Sequence, residues 1–183
     1  KYKIENENFR DLLDMQEENP TYNLTSADFI AWNDQSWGSL FTINAGTNRG
    51  IKIGDPVITR DGLVGFISDV SKKNSTVSTI LDTSVNFSVR LRPSLTRAVS
   101  KGDFNLMKQG LVKVSDISLE DKPVTGEKVL TVGTERIPDG ILVGTLTEMK
   151  SERNGMLYYG IMTPLVDFNS LSQLFIITDF DEG

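Results

Sequence analysis

The chain has 183 residues, of which 38% are hydrophobic and 24% charged, enough apolar material for one packed domain or two small ones. Its net charge of −6, from 19 basic and 25 acidic residues, argues against nucleic acid as the main partner, because neutralising phosphates needs a basic face. It has no Cys and no His, which removes disulfides, thiolate metal sites, Cys nucleophiles, and the commonest general base and metal ligand.

No apolar run is long enough for a membrane-spanning helix. The chain begins at Lys1 rather than Met and reads as a fragment with a segment missing upstream. Residues 1–19 are predicted as a helix that Pro20 stops. At about 100° per residue, Tyr2, Phe9, Leu12 and Leu13 share a face, with Ile4 and Met15 off it. Two readings follow. The helix docks on the body of the protein, or it ends a longer coiled coil in which those four residues pack against a second copy.

From residue 22 onwards the pattern changes to short β-runs separated by turns, the mark of an all-β sandwich or barrel. Trp32, Trp37 and Phe41 fall early in this region. They read either as core or as an exposed groove for a partner, since aromatics dominate interface hot spots. Gly54-Asp55-Pro56 opens a strand, and Arg60-Asp61-Gly62 joins two apolar runs as a hairpin turn. Gly65, inside the second run, predicts a bulge. Residues 76–81 and 87–91 alternate as strands, and residues 95–100, 104–107 and 111–114 read as three short ones. Glu152-Arg153-Asn154-Gly155 is a further hairpin turn.

Much of this order returns downstream. Thr125-Gly126-Glu127-Lys128-Val129-Leu130-Thr131 echoes residues 54–59, and Asp139-Gly140-Ile141-Leu142-Val143-Gly144 echoes residues 61–65 with one extra residue. Leu81-Asp82-Thr83-Ser84 and Val166-Asp167-Phe168-Asn169 each precede an apolar strand. Separations of roughly seventy to eighty-five positions match one small β-domain and not a solenoid unit. The predicted fold is all-β, two small six-stranded β-barrels after an N-terminal helix. The expected divisions are 1–19, 22–98 and 99–183, the last strand being free to return to the first barrel. The hairpins at residues 54–70 and 126–149 should overlay, with a bulge near Leu142 absorbing the extra residue.

Few groups are arranged for catalysis. Paired barrels suggest a chymotrypsin-like protease, but such a site needs a general base, normally His. Asp82 and Asp167 read as turn residues and lack the glycine that follows in aspartic proteases. Ser71-Lys72 and Ser100-Lys101 are sequence neighbours, which point to opposite faces of a strand. Arg90, Arg92, Arg97 and Lys101 form a basic cluster that reads as a solvated strand face before it reads as an anion site. No cofactor motif is present.

One ordered set of residues carries a family resemblance. Trp37…Phe41-Thr42-Ile43-Asn44-Ala45-Gly46-Thr47-Asn48-Arg49-Gly50-Ile51-Lys52-Ile53-Gly54-Asp55-Pro56-Val57, then Asp61-Gly62-Leu63-Val64-Gly65, then Asp139-Gly140-Ile141-Leu142-Val143-Gly144, resembles the rod shape-determining MreC family. Glu7-Asn8-Phe9-Arg10-Asp11-Leu12-Leu13 resembles the end of that family's coiled coil. The chain departs from the family at Thr131-Val132-Gly133-Thr134, where Thr-Ser-Gly is frequent. The resemblance implies a non-enzymatic scaffold of the bacterial cell-elongation machinery, with two barrels on the outer side of the cytoplasmic membrane and a single-pass anchor upstream. It also implies self-association as a homodimer or higher assembly, and partners that include a class B penicillin-binding protein. The rival reading from the residues is a hydrolase of protease-like double-barrel fold with unusual catalytic groups.

Overall fold

Alternating apolar residues between Gly and Asp turns build, among the described residues, twelve antiparallel strands, which close into two barrels. The computed structural model describes residues 2–152 and 157–181; the turn expected at Arg153-Asn154-Gly155 lies outside them. Helix α1 (Tyr2–Glu18) precedes β1 (Tyr22–Trp32), β2 (Leu40–Ile43), β3 (Pro56–Ile58), β4 (Leu63–Val70) and β5 (Ser75–Thr79). Next come β6 (Asn86–Arg92), β7 (Arg97–Lys101), a short helix α2 (Phe104–Met107) and β8 (Val112–Ile117). The chain ends with β9 (Lys128–Thr131), β10 (Leu142–Glu152), β11 (Leu157–Pro164) and β12 (Gln173–Phe180).

The strand expected at residues 104–107 is instead helix α2. Asp103 caps it, its carboxylate accepting the backbone N–H groups of Asn105 and Leu106 at 3.0 Å each. This N-cap satisfies donors that a strand would have paired across a ladder.

Barrel 1 has the strand order β1-β12-β3-β4-β5-β2 and barrel 2 the order β10-β11-β8-β7-β6-β9. The two match strand for strand. Val57 pairs with Gly65 and Ile176, as Val129 pairs with Gly144 and Leu91. The Gly54 N–H donates to the Ile67 carbonyl at 2.7 Å, and the Gly126 N–H donates to the Leu146 carbonyl at 2.7 Å. Bulges fall between Ile67 and Asp69 in β4 and between Leu146 and Glu148 in β10. A second bulge follows Leu63 in barrel 1 and Leu142 in barrel 2. Because both barrels share it, this bulge does not absorb the extra residue. Ile141 does, inside a longer β9–β10 loop.

In this alignment β6 corresponds to β12, and β7 to β1. The sequence repeat therefore runs β1–β6 and β7–β12, yet each barrel takes its sixth strand from the other repeat. The expected limit between 98 and 99 falls inside β7, and both β6 and β7 lie in barrel 2. The last strand, β12, does return to close barrel 1, as the expected division allowed. Ladder hydrogen bonds and side-chain period are alike for β6 and β12, so local sequence does not choose between the two closures.

The interior of barrel 1 holds Phe41, Ile43, Ile51, Val57, Val64, Ile67, Val77, Leu174 and Ile176. Barrel 2 buries Val89, Leu91, Val112, Val114, Val129, Val143, Leu146 and Met162. Each such side chain contributes roughly 1.5–3 kcal/mol on full burial. The second cluster continues outside barrel 2 to Met15, Leu24, Ile58, Leu63, Phe175 and Ile177, so one apolar layer joins both barrels and α1. At the seam, a Cβ on Gly62 (φ +150°) would stand 2.4 Å from the Leu142 carbonyl oxygen. Only a residue without a side chain permits that approach.

Candidate interaction surfaces

Helix α1 docks on barrel 1 through one face. Met15 is 3% exposed and Leu12 packs beside the core. One turn further, Gln16 donates to the carbonyls of Asn19 at 3.2 Å and of Tyr22, and its Oε1 accepts the Leu24 N–H at 3.3 Å. Gln173 Nε2 donates to the Asn8 carbonyl at 3.0 Å. Arg60, on the β3–β4 turn, reaches Asp11 and Asp14 at 3.2 and 3.3 Å; such exposed pairs add little.

The expected face is thus split. Leu12 faces the protein, while Phe9 and Leu13 point to solvent at 67% and 62% exposure. Met15, expected off the face, is the anchor, since it lies one turn below Leu12. The Tyr2 side chain lies outside the described residues. Docking in cis leaves Phe9 and Leu13 open, so the two readings of the helix are compatible.

The three early aromatics also part company. Phe41 is fully buried, so of its two readings the core holds and the partner surface does not. Its inward position on β2 puts it in the barrel, with Phe29 at 5.2 Å and Trp32 at 5.4 Å between ring centroids. Trp32 is half-buried in that cluster, so it too serves packing. Trp37 is 73% exposed and stands edge-on to Phe104 of α2 at 6.2 Å, with Lys108 Nζ over the Phe104 ring at 4.4 Å. The turn that presents it is held from beneath. Ser39 Oγ lies 2.7 Å from both the Ser36 carbonyl and Asp82 Oδ1, and the Asn33 N–H donates to the Leu40 carbonyl at 2.9 Å.

The carboxylates serve turns. Asp82 accepts the Ser84 N–H and Asp167 the Asn169 N–H, both at 3.0 Å, at matching positions in the two crossovers. Asp55 and Glu127 also match. Asp55 accepts the Lys52 N–H and Glu127 the Val124 N–H, both at 2.8 Å. Burial raises the Asp55 pKa, opposed by its hydrogen bond and ion pair to Lys52 and by the charge of Arg136. A buried acid recurring at one position in both barrels is a fold device and not a lone reactive group. Tyr22 is raised as well, by burial first and then by Asp139. Among the described residues no cluster of three or more acidic groups could hold a metal.

Residues 132–139 of the β9–β10 loop lie along the seam between the barrels. Beside them runs an open groove of about 510 Å³, floored by Phe66 of barrel 1 and Phe87 of β6 and rimmed by Glu135, Arg136 and Ile137. The two rings meet edge-on at 5.4 Å. Among the described residues the geometry offers docking surfaces and gathers no catalytic set.

The family described as "Rod shape-determining protein MreC, barrel core" matches residues 29–178, strands of both barrels included. This chain belongs to the MreC family. It is 23% identical over 181 residues to the cell shape-determining protein MreC of Listeria monocytogenes, covering 96% of this chain and 60% of that protein. A solved MreC structure superposes with a TM-score of 0.82 at 19% identity, over 96% of this chain and 98% of the other. A chain in the solved complex between Penicillin-Binding Protein (PBP2) and MreC from Helicobacter pylori superposes with a TM-score of 0.64 at 13% identity, over 86% and 100% of the two chains. MreC proteins determine cell shape. Among the described residues no helix of this member is long and apolar enough to cross a membrane.

Proposed function

We propose that this chain is the barrel core of a non-enzymatic scaffold that organises peptidoglycan synthases on the outer side of the bacterial cytoplasmic membrane. The observation that carries the reading is the family match across both barrels. The existence of a complex between PBP2 and the Helicobacter pylori MreC supports a class B penicillin-binding protein as a partner of this chain as well. The acids that suggested a hydrolase are engaged by their own turns, which leaves binding by exposed surface as the working mode. Self-association uses the open stripe of α1, where Phe9 and Leu13 stand one turn apart and Tyr2 lies a heptad before Phe9. A segment upstream of α1 would carry the membrane anchor.

The test is co-purification of the tethered protein with the elongation-specific class B penicillin-binding protein from cell envelopes, together with complementation of a strain lacking it. Capture of that synthase and restoration of rod shape are expected. Failure of both, or glycan or peptide hydrolysis that disappears with Asp82→Asn, would reject the scaffold reading.

A further inference from the structure

The outer face of strands β6, β7 and β9 carries Arg90, Arg92, Arg97, Lys101 and Lys128, five of the chain's 19 basic residues. Those three strands contain no Asp or Glu. The register sets like charges directly opposite one another: Arg90 faces Arg97, and Arg92 faces Lys128. Such pairs destabilise a sheet. Arg90, Arg92, Arg97 and Lys101 make no ion pair among the described residues. Glu120 and Asp121 lie in the β8–β9 loop, outside the three strands.

Exposed apolar residues stand at both ends of the face. At one end are Leu95, 59% exposed in the β6–β7 turn, and Val124, 60% exposed before β9. The buried Glu127 carboxylate fixes both, accepting the Ser94 and Val124 N–H groups. At the other end, three residues past Lys101, is the pair Phe104 and Trp37, with Lys108. Leu95 and Trp37 both hold left-handed backbone, at φ +65° and +56°. That conformation is costly for side chains of this kind. Strain is thus spent to expose a large apolar side chain at each end of a basic sheet.

The matching face of barrel 1 is different. Phe175 and Ile177 stand where barrel 2 has Arg90 and Arg92, and they are 3% and 1% exposed in the layer shared with Met15. Barrel 1 has its cover within the chain, whereas barrel 2 leaves the face open.

We propose that this face of barrel 2 lies on an anionic lipid surface, its cations at the phosphate headgroups and Trp37, Phe104 and Leu95 in the interfacial layer. Cations spread over the outer face of three strands suit an extended surface better than a small anion. Apolar residues at its margins, an aromatic pair among them, suit a bilayer interface better than a soluble polyanion. The contact is separate from any anchor upstream and would fix how the double barrel is turned on the membrane.

Vesicle flotation tests it, with phosphatidylcholine alone and with a phosphatidylglycerol fraction added. The chain is expected to float with the anionic vesicles only and to be released by high salt. Arg92→Ser with Lys101→Ser should weaken binding about 25-fold, at about fivefold per cation. Trp37→Ser with Leu95→Ser should weaken it about tenfold with the charges intact. In a Trp32→Phe background the Trp37 emission should shift to the blue on the vesicles. All these side chains but Trp32 are at the surface, so thermal unfolding of the serine variants should match the parent. The proposal falls if anionic and neutral vesicles bind alike or not at all, if the serine variants bind undiminished, or if soluble polyphosphate binds while vesicles do not.

Discussion

Barrel 1 and barrel 2 share a strand order and two bulges, yet position for position their outer faces are built for different neighbours. Inward residues are interchangeable in kind: Leu91 of β6 and Ile176 of β12 are both fully buried at matching sites. Outward residues on the same two strands are not. Phe175 and Ile177 meet an apolar layer in barrel 1, where barrel 2 offers Arg90 and Arg92 to solvent. The β3–β4 turn is short and presses Gly62 against Leu142, while the β9–β10 loop is long and lies along the seam. A duplicated barrel keeps its interior because closure requires it; its exterior is free to diverge into a docking face for α1 on one copy and an open basic face on the other.

Exchanging residues between the matching sites should expose this asymmetry most strongly. Ile177→Arg copies barrel 2 into barrel 1 and buries a charge without a partner. A loss of about 3 kcal/mol or more is expected, lowering Tm by roughly 6–12 °C in a thermal melt. The reciprocal Arg92→Ile should move stability by less than about 0.5 kcal/mol. Next in size is the seam. Gly62→Ala puts a Cβ into the Leu142 carbonyl and should cost about 1–3 kcal/mol by denaturant unfolding, because the obstacle is backbone.

The helix sharpens the contrast further. If α1 mediates the proposed self-association, Phe9→Asp with Leu13→Asp should leave the chain monomeric in analytical ultracentrifugation and the melt nearly unchanged. An unchanged sedimentation coefficient would remove the open stripe from self-association. The smallest effect concerns pH. The folded-state pKa of Asp55 is raised, so its neutral form is favoured by folding. Its contribution is fullest below about pH 4 and is lost as pH rises through the raised value. Asp55→Asn should flatten that part of the stability–pH curve.

The duplication was legible in the sequence because turn chemistry is local. Gly54-Asp55 and Gly126-Glu127, like Asp61-Gly62 and Asp139-Gly140, mark the same hairpin in both repeats. The return of the last strand to barrel 1 was open from the sequence, but the matching transfer of β6 to barrel 2 was not legible, since β6 and β12 offer the same ladder and the same alternation to either barrel. Helical periodicity gave the helix but not its seat. Met15 is fixed by the pocket it enters, which no count along α1 contains. The cluster Arg90, Arg92, Arg97 and Lys101 was visible, but Lys128, Trp37 and Phe104 reach the same region only through strand pairing and the docking of α2. Core and groove stayed open for Phe41 because an aromatic on a short strand looks alike whether it faces in or out.

Reciprocal closure makes both barrels one folding unit, and differential scanning calorimetry tests this most directly. If each barrel needs the other repeat's strand, the chain should melt in a single transition with calorimetric and van't Hoff enthalpies equal, and Ile177→Arg should move that whole transition. Two separable transitions, of which Ile177→Arg shifts only one, would contradict it.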